Sequence, residues 1–128
     1  ACTVEDAHKF FEHTTESPYM LLIAQVKEEY KEKLPSITHV DGSARLQTVR
    51  RETNTRYYDV IKEFGKLSKI PVILNTSFNE AGEPIVERPL DAVKCSLKNN
   101  IDYLVIENFL IKKTPDVLRK PNHLPNIV

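Results

Sequence analysis

Glycine is scarce in this sequence, and the three that occur, Gly42, Gly65 and Gly82, are too widely spaced to form a glycine-rich phosphate loop. A phosphate site would therefore have to use side chains and the amides of strand ends. The Gly-x-Ser-x-Gly motif of serine hydrolases is missing as well, and no cysteine–histidine pair has local support. We therefore expect no covalent enzyme intermediate.

Cysteine and net charge are also low. Cys2 and Cys95 match no metal-binding or redox spacing, which favours two reduced thiols in a cytoplasmic protein with no metal site on this chain. The 18 basic and 18 acidic residues balance, so the chain lacks the positive charge of a protein that coats nucleic acid. No apolar run approaches the ~18 residues of a membrane span, and no signal peptide opens the chain. We expect neither a membrane nor a nucleic-acid partner.

The length of 128 residues, of which 41% are hydrophobic, fits one compact domain. The chain begins with Ala1 rather than methionine, and Thr3 and Asp6 fit the capping box of a helix that starts almost at once. This start favours a fragment of a longer protein. The segment after Thr114 has three prolines and little periodicity. We predict a partial domain over residues 1–113 and an extended tail over residues 114–128.

Helical and extended patterns alternate along the chain, which predicts an α/β or α+β domain with helices packed against a mixed sheet. Asn54 suits the N-cap of a helix whose apolar residues, from Tyr57 to Leu67, recur at helical spacing. Pro89 suits the first turn of another helix. The predicted strands span residues 19–26, 38–49, 71–74, 103–106 and 109–112.

The predicted strand over residues 38–49 alternates between a face of small and apolar residues and a polar face. The guanidinium of Arg45 suits bidentate binding of phosphate or carboxylate, although an exposed arginine paired with Asp41 also fits. Asp41 and Gly42 could instead form a turn that splits the strand before Ser43. His39 could bind a ligand or relay a proton. The polar face comprises His39, Asp41, Ser43, Arg45 and Gln47.

A second polar segment follows the apolar residues 72–74. If the backbone stays extended, Asn75, Ser77 and Asn79 project from one face at intervals of ~6.6 Å. Their amides and hydroxyl would offer neutral donors to phosphate or carbonyl oxygens. The same residues also fit a capped loop in which the side chains satisfy their own backbone.

Five segments, in this order, resemble the carboxyl-terminal domain of nodulation-type and antibiotic O-carbamoyltransferases. The likeness covers roughly residues 3 to 113. The segments are residues 17–20 (SPYM), 38–49 (THVDGSARLQTV), 70–79 (IPVILNTSFN), 82–85 (GEPI) and 102–106 (DYLVI).

The resemblance implies a YrdC-like domain, a mixed twisted sheet with flanking helices, that makes a carbamoyl-adenylate from carbamoyl phosphate and ATP with Mg²⁺. A separate amino-terminal, metal-binding domain would then transfer the carbamoyl group to a hydroxyl of a small molecule or saccharide. The resemblance assigns phosphate contacts to Arg45 and Ser77, with Asn75 beside them as the third catalytic residue. The neighbouring residues expected to bind the cofactor are His39, Asp41, Ser43, Gln47, Thr76 and Asn79.

Parts of the family's enzymes are not found in this sequence. The family's first basic strands and its metal-binding domain would lie upstream of Ala1, so we expect the isolated fragment to be inactive. One alternative is a non-catalytic module of the same fold that binds a nucleotide or RNA. A groove lined by interleaved arginines and aromatic residues would favour it, and the sequence shows no clear interleaving of that kind. Another alternative is a scaffolding domain whose helices bind a partner.

Overall fold

The computed structural model describes residues 1–12 and 15–113, and the predicted tail over residues 114–128 lies outside them. The chain divides into two compact units, Ala1–Asn75 (unit 1) and Thr76–Val128 (unit 2). Both units combine helices with short strands, which confirms the predicted α/β class. In the described part of the chain these strands form three small sheets, of two, three and two strands.

Unit 1 contains the larger sheet, in which short strands pair mostly with their neighbours in sequence. The elements are β1 (Cys2–Thr3), α1 (Val4–Phe10), β2 (Phe11–Glu12), β3 (Leu22–Val26), α2 (Glu28–Lys31), β4 (Ser43–Leu46), β5 (Thr48–Val49) and α3 (Thr55–Ser68). β2, β3 and β4 form an antiparallel sheet in that order. β1 pairs with β5 in parallel, which joins the first residues of the chain to the end of the β4–β5 segment.

The register between β3 and β4 gives this sheet one buried and one open face. Ala24 lies opposite Ala44, and both side chains are buried. Ile23 lies opposite Arg45, and both are exposed. Because side chains alternate along a strand, the same pairing places small residues in the core and Arg45 on the open face.

The core of unit 1 lies beneath the buried face of the sheet. Phe10 packs edge to face against Tyr30, with ring centroids 4.8 Å apart. A smaller cluster of Ala1, Val49 and Ile61 packs beneath α3. The main cluster consists of Cys2, Ala7, Phe10, Phe11, Ala24, Val26, Leu34, Ala44, Leu46 and Val72.

The turn at Asp41–Gly42, the alternative left open by the sequence, is confirmed, and the single strand over residues 38–49 is wrong. Gly42 has φ +80°, a conformation that glycine adopts without the steric cost of a Cβ. Its amide donates to the carbonyl of His39 at 2.9 Å, and the amide of His39 donates to the carbonyl of Ser43 at 2.7 Å. β4 therefore starts at Ser43, and Val40 is exposed rather than directed at the core.

The predicted strand over residues 71–74 is not formed. Ile73 instead exchanges two hydrogen bonds with the first residue. Its amide donates to the carbonyl of Ala1 at 2.9 Å, and the terminal amino group of Ala1 donates to the carbonyl of Ile73 at 2.6 Å. The backbone amide and carbonyl of Ile73 are thus paired with a residue 72 positions away, without a continuous ladder.

α3 begins as predicted, because the Oδ1 atom of the N-cap Asn54 accepts from the amide of Tyr57 at 3.1 Å. Its last residue is Ser68, and the C-cap Lys69 has φ 69° in the left-handed region. Only one residue of its apolar stripe, Ile61, is fully buried. The helix thus has less of its apolar face in the core than its periodicity predicts. The exposed members are Val60, Phe64 and Leu67.

Unit 2 contains α4 (Pro89–Lys98) and a hairpin of β6 (Tyr103–Ile106) and β7 (Phe109–Lys112). Pro89 occupies the first turn of α4, as predicted. β6 has the bounds predicted for this strand, and Leu104 alone among its four residues is buried. The core side of α4 consists of Ala92, Cys95 and Ser96.

A buried carboxylate ties the start of the chain to α3. Asp6 accepts hydrogen bonds from Thr3 at 2.9 Å, Lys9 at 2.6 Å and Lys62 at 2.9 Å. Thr3 therefore bonds the Asp6 side chain rather than the helix backbone, unlike a capping box. Burial alone would raise the pKa of Asp6, but these three hydrogen bonds outweigh it and lower the pKa from 3.8 to about 2.

Replacing the Asp6 carboxylate should lower the free energy of unfolding and make that free energy less dependent on pH in the acidic range. Because the pKa of Asp6 is depressed in the folded state, its contribution is complete above pH 3.8 and is lost as pH falls towards 2. We expect Asp6→Asn to lower the free energy of unfolding by about 2 kcal/mol at pH 7. Between pH 4 and pH 2 the variant should lose less stability than the unaltered protein in urea unfolding. The exposed Glu63, paired with Lys66, provides the control, Glu63→Gln.

Gly65 is required by close packing, although glycine weakens a helix. A Cβ at Gly65 would lie 2.6 Å from the Cβ of Pro71. Alanine gains about 1 kcal/mol of helix propensity, whereas overpacking costs roughly 1–3 kcal/mol. We expect Gly65→Ala to lower the melting temperature, and to do so less in a Pro71→Gly background. An equal loss in both backgrounds would contradict this contact as the cause.

Candidate functional site

Three of the predicted site residues of unit 1 meet around Met20. Arg45 donates from Nη2 to the carbonyl of Met20 at 3.2 Å. Asn75 donates from Nδ2 to Oε1 of Gln47 at 2.7 Å, and the same nitrogen lies 3.8 Å from Sδ of Met20. Gln47 in turn donates to the carbonyl of Pro18 at 3.1 Å. We call Met20, Arg45, Gln47 and Asn75 the Arg45 cluster.

The cluster depends on the turn over residues 17–20. Ser17 is held to β5 by two hydrogen bonds: its amide donates to Oγ1 of Thr48 at 2.8 Å, and its carbonyl accepts from the amide of Thr48 at 3.0 Å. Met20 then adopts φ 56°, in the left-handed region that residues with a Cβ rarely enter. Such strained residues concentrate at ligand sites. Here the conformation brings the Met20 carbonyl to Arg45.

Arg45 belongs to none of the ion pairs in the described part of the chain. No described carboxylate therefore neutralises its charge. The predicted alternative, pairing with Asp41, is therefore wrong. By contrast, Arg50 pairs with Glu16, and Arg51 lies 3.5 Å from Asp59. A guanidinium held only by a neutral carbonyl keeps its charge for an anionic ligand.

His39, Asp41 and Ser43 form a second group, at the turn before β4. Asp41 accepts from the hydroxyl of Ser43 at 2.6 Å and from its amide at 3.0 Å, and these bonds lower the pKa of Asp41. Nδ1 of His39 lies 3.1 Å from the same hydroxyl. Since that hydroxyl already donates to Asp41, the imidazole must donate to Ser43 rather than remove its proton.

This order of hydrogen bonds does not activate a nucleophile. A serine nucleophile needs a base that accepts its proton, whereas the acceptor here is a carboxylate that caps its own turn. Ser43 is also buried. The group thus holds the turn that starts β4, two residues before Arg45, and none of its members donates to the Arg45 cluster in the described hydrogen bonds.

The remaining predicted residues, Thr76, Ser77 and Asn79, belong to unit 2. The hydroxyl of Ser77 donates to Oδ1 of Asn79 at 2.5 Å, and Nδ2 of Asn79 donates to the carbonyls of Glu80 and Glu83, both at 2.9 Å. These bonds form the capped loop that the sequence left open, and the segment is not a strand. Thr76 is exposed.

Unit 2 also has an open cavity of about 770 Å³ beside α4. Lys98 lines it and lies 3.3 Å from Glu80 and 3.6 Å from Glu83. Its pKa is raised, chiefly by the hydrogen bond to Glu80. Lys94 lines the cavity as well, but the acidic side chains of Glu83, Glu87 and Asp91 outnumber the two lysines. The cavity therefore suits an anion less well than Arg45 does.

Two features of the site were missed by reasoning from residue patterns. The carbonyls of Pro18 and Met20 are partners of Gln47 and Arg45, but backbone acceptors leave no signal in residue types. The second feature is a cavity lined by Tyr19 and Tyr57. In the sequence, the segment over residues 17–20 was marked as one of the five family segments, which assigned no ligand contact to it.

Residues 1–12 and 15–113 contain neither a candidate membrane span nor a candidate metal cluster. In that part of the chain no helix combines the length and apolar character needed to cross a membrane. Within the same residues no three histidine, cysteine or acidic side chains are grouped so that they could hold a metal ion.

Comparison with known proteins identifies the family. The profile of the family described as Carbamoyltransferase C-terminus matches residues 1–113. The chain is 47% identical over 118 residues to the nodulation protein NolO of Bradyrhizobium diazoefficiens, covering 90% of this chain and 22% of that protein. It is 38% identical over 105 residues to the 3'-hydroxymethylcephem-O-carbamoyltransferase of Amycolatopsis lactamdurans, covering 82% of this chain and 20% of that enzyme.

A third relative has the same pattern of coverage. The nodulation protein NolNO of Sinorhizobium fredii is 46% identical over 112 residues, which cover 85% of this chain and 16% of that protein. The chain thus spans about a fifth of the length of these relatives. It belongs to the carbamoyltransferase C-terminal family, as its motifs predicted.

The hydrogen bond between Gln47 and Asn75 should be measurable as a coupling. We expect Asn75→Leu to lower the free energy of unfolding by about 1 kcal/mol, because it leaves the Oε1 atom of Gln47 without its donor. Gln47→Leu should lower it by somewhat more, because the Asn75 amide and the Pro18 carbonyl both lose their partner. The double variant should lose less than the sum, by about 1 kcal/mol. The exposed Gln25 on β3 provides the control, since Gln25→Leu combined with Asn75→Leu should be additive. Additive losses for Gln47→Leu and Asn75→Leu would contradict the hydrogen bond between Gln47 and Asn75.

Proposed function

We propose that this member of the carbamoyltransferase C-terminal family provides phosphate-binding groups with which a larger enzyme activates carbamoyl phosphate by means of ATP. The activated product would be a carbamoyl-adenylate. Its carbamoyl group would then pass to a hydroxyl of a small molecule or saccharide, on a metal-binding domain outside this chain. We place the reaction in the cytoplasm, where the buried free thiols of Cys2 and Cys95 stay reduced.

The observation that carries the proposal is the unneutralised guanidinium of Arg45 within a cluster of neutral amides. Arg45 is exposed on the open face of the sheet, and its described hydrogen-bond partner is the Met20 carbonyl. Asn75 and Gln47 hold each other beside the same residue. A fixed cation flanked by amide donors suits a phosphate better than a metal ion or an apolar ligand.

The chemistry must bring two anions together. In the first step, water would attack the phosphorus of carbamoyl phosphate, and the bond between phosphorus and the carbamoyl oxygen would break. Inorganic phosphate forms, and carbamate leaves with the electron pair of that bond. An oxygen of carbamate then attacks the α-phosphorus of ATP, the new P–O bond forms, and pyrophosphate leaves with the electron pair of the broken bond. Both steps need positive charge near phosphate oxygens, which is the contribution we assign to Arg45.

The amides would act by position rather than by charge. Asn75 and Gln47 are linked to each other and to the segment over residues 18–20, so their orientation is set before a ligand binds. Preorganised donors of this kind reduce the reorganisation needed when charge develops on a phosphoryl oxygen. Mg²⁺ would enter with the phosphates of ATP, since the cluster itself consists of amides, a carbonyl, a thioether and a guanidinium.

Residues of unit 2 have a less direct place in the proposal. The hydroxyl of Ser77 donates to Asn79, so a phosphate contact by Ser77 would require that hydroxyl to rotate away from it. Asn79 donates to the carbonyls of Glu80 and Glu83, so its proposed role is to fix the conformation of the loop. We retain Ser77 as a predicted phosphate contact. Thr76, His39, Asp41 and Ser43 remain predicted neighbours of the nucleotide.

The decisive measurement is exchange of labelled pyrophosphate into ATP by the full-length protein, with and without carbamoyl phosphate. We expect carbamoyl phosphate to stimulate exchange. Arg45→Ala should reduce the rate of exchange about 100-fold, as for loss of one group that stabilises developing charge. Arg45→Lys should restore only part of that rate, because the ammonium group of lysine cannot make the two parallel hydrogen bonds of a guanidinium. Ser77→Ala should reduce it by a smaller factor.

Arg51 provides the matched control, because this exposed arginine of the same unit is paired with Asp59. Arg51→Ala should leave exchange close to that of the unaltered protein. Exchange at the unaltered rate in both Arg45→Ala and Ser77→Ala would remove these residues from the site. Tight binding of ATP without any exchange would favour the alternative, a non-catalytic nucleotide-binding module.

A further inference from the structure

Unit 1 contains a cavity of about 360 Å³ at the junction of the segment over residues 17–20, β5 and the start of α3. Its size lies near the lower end of the ~300–1,000 Å³ typical of small-molecule sites. The lining side chains that bear on its chemistry are Glu16, Tyr19, Gln47, Arg50, Asn54 and Tyr57.

Two tyrosine rings give the cavity its aromatic character. Tyr19 is 80% exposed, so its ring is not needed to fill the core. Tyr57 is partly buried and packs against the small cluster beneath α3. Burial raises the pKa of Tyr57 further above physiological pH, where a tyrosine phenol is already neutral. Aromatic faces of this kind bind planar heterocycles by stacking.

The charges of the cavity cancel. Arg50 donates from Nε to Oε2 of Glu16 at 2.7 Å and from Nη2 to Oε1 of the same carboxylate. A phosphate in this cavity would have to displace Glu16 from a two-bond pair, whereas a neutral ring would not. The cavity therefore suits an uncharged planar group better than an anion.

Polar groups at the edge of the cavity are amides. Oδ1 of Asn54 accepts from the amide of Tyr57, which directs the amide nitrogen of Asn54 away from the helix backbone. Gln47 uses Oε1 for Asn75 and one Nε2 hydrogen for Pro18, and its second Nε2 hydrogen is chemically able to serve a ligand. Amide donors match the ring nitrogens and carbonyls of nucleobases.

The cavity adjoins the Arg45 cluster through shared residues. Gln47 belongs to both, since it lines the cavity and accepts from Asn75. The segment over residues 18–20 is also common to both: Pro18 and Tyr19 line the cavity, and the Met20 carbonyl accepts from Arg45. A ligand with a flat ring at one end and phosphates at the other could thus contact the two sites together.

We propose that the Tyr19–Tyr57 cavity binds the base of the nucleotide whose phosphates contact Arg45. This inference rests on the proposed function, because that function supplies the nucleotide. The base stacks on Tyr19, and the amides of Gln47 and Asn54 meet its edge. Base and phosphate binding are then separable, because they use different side chains of the same unit.

Calorimetric titration of the full-length protein with adenosine and with ATP tests this separation. Tyr19→Ala should weaken both ligands about tenfold, the loss expected for one stacking contact. Tyr19→Phe should restore both, because it keeps the aromatic face. Arg45→Ala should weaken ATP and leave adenosine unchanged. Tyr103, an exposed tyrosine of unit 2, provides the control Tyr103→Ala, which should change neither affinity.

The outcomes separate the base site from the catalytic proposal. Unchanged adenosine affinity in Tyr19→Ala, in a protein that still exchanges pyrophosphate, overturns the base site and leaves the proposed function intact. Loss of adenosine binding in Tyr19→Ala, in a protein that exchanges no pyrophosphate, supports the base site and contradicts the catalytic proposal. An unaltered protein that binds neither adenosine nor ATP overturns the base site.

Discussion

The antiparallel pairing of β3 with β4 determines where the candidate site of unit 1 can lie. Its register places Ala24 against Ala44 in the core and Ile23 opposite Arg45 on the open face. A shift of one residue would bury the guanidinium and expose the core, since side chains alternate along both strands. Gly42 secures this register, because its positive φ closes the turn that starts β4 at Ser43.

The partners of Arg45 matter as much as its position. A nearby carboxylate commonly neutralises the charge of a surface arginine, as Glu16 does for Arg50. Arg45 instead donates to the carbonyl of Met20, whose left-handed backbone departs from ordinary preference. The structure thus accepts strain at one residue and leaves a positive charge available, an arrangement typical of ligand sites. The adjoining cavity has the opposite property, since its own arginine is already paired.

Family membership gives this arrangement its chemical setting. The chain spans about a fifth of the length of the three relatives compared, so the proposed function assigns the acceptor and the transfer step to groups outside it. What the chain contributes within unit 1 is a neutral cavity and a positively charged cluster that share Gln47. The two features suit opposite ends of a nucleotide, as the proposed activation of carbamoyl phosphate by ATP requires.

The sequence by itself determined the α/β class, the family, the N-cap at Asn54, the first turn of α4 and the polar candidates at residues 45, 47 and 75. These follow from local periodicity, capping preferences and motif order, which need only neighbouring residues. The structure decided between the two alternatives for residues 75–79, an extended segment and a capped loop, in favour of the loop. It alone showed that Gln47 and Asn75 bond across 28 positions of the chain. It also decided that Val60, Phe64 and Leu67 stay exposed despite a helical apolar pattern. Periodicity identifies the face of an element, but burial and hydrogen-bond partners depend on which distant backbone groups fold against that face.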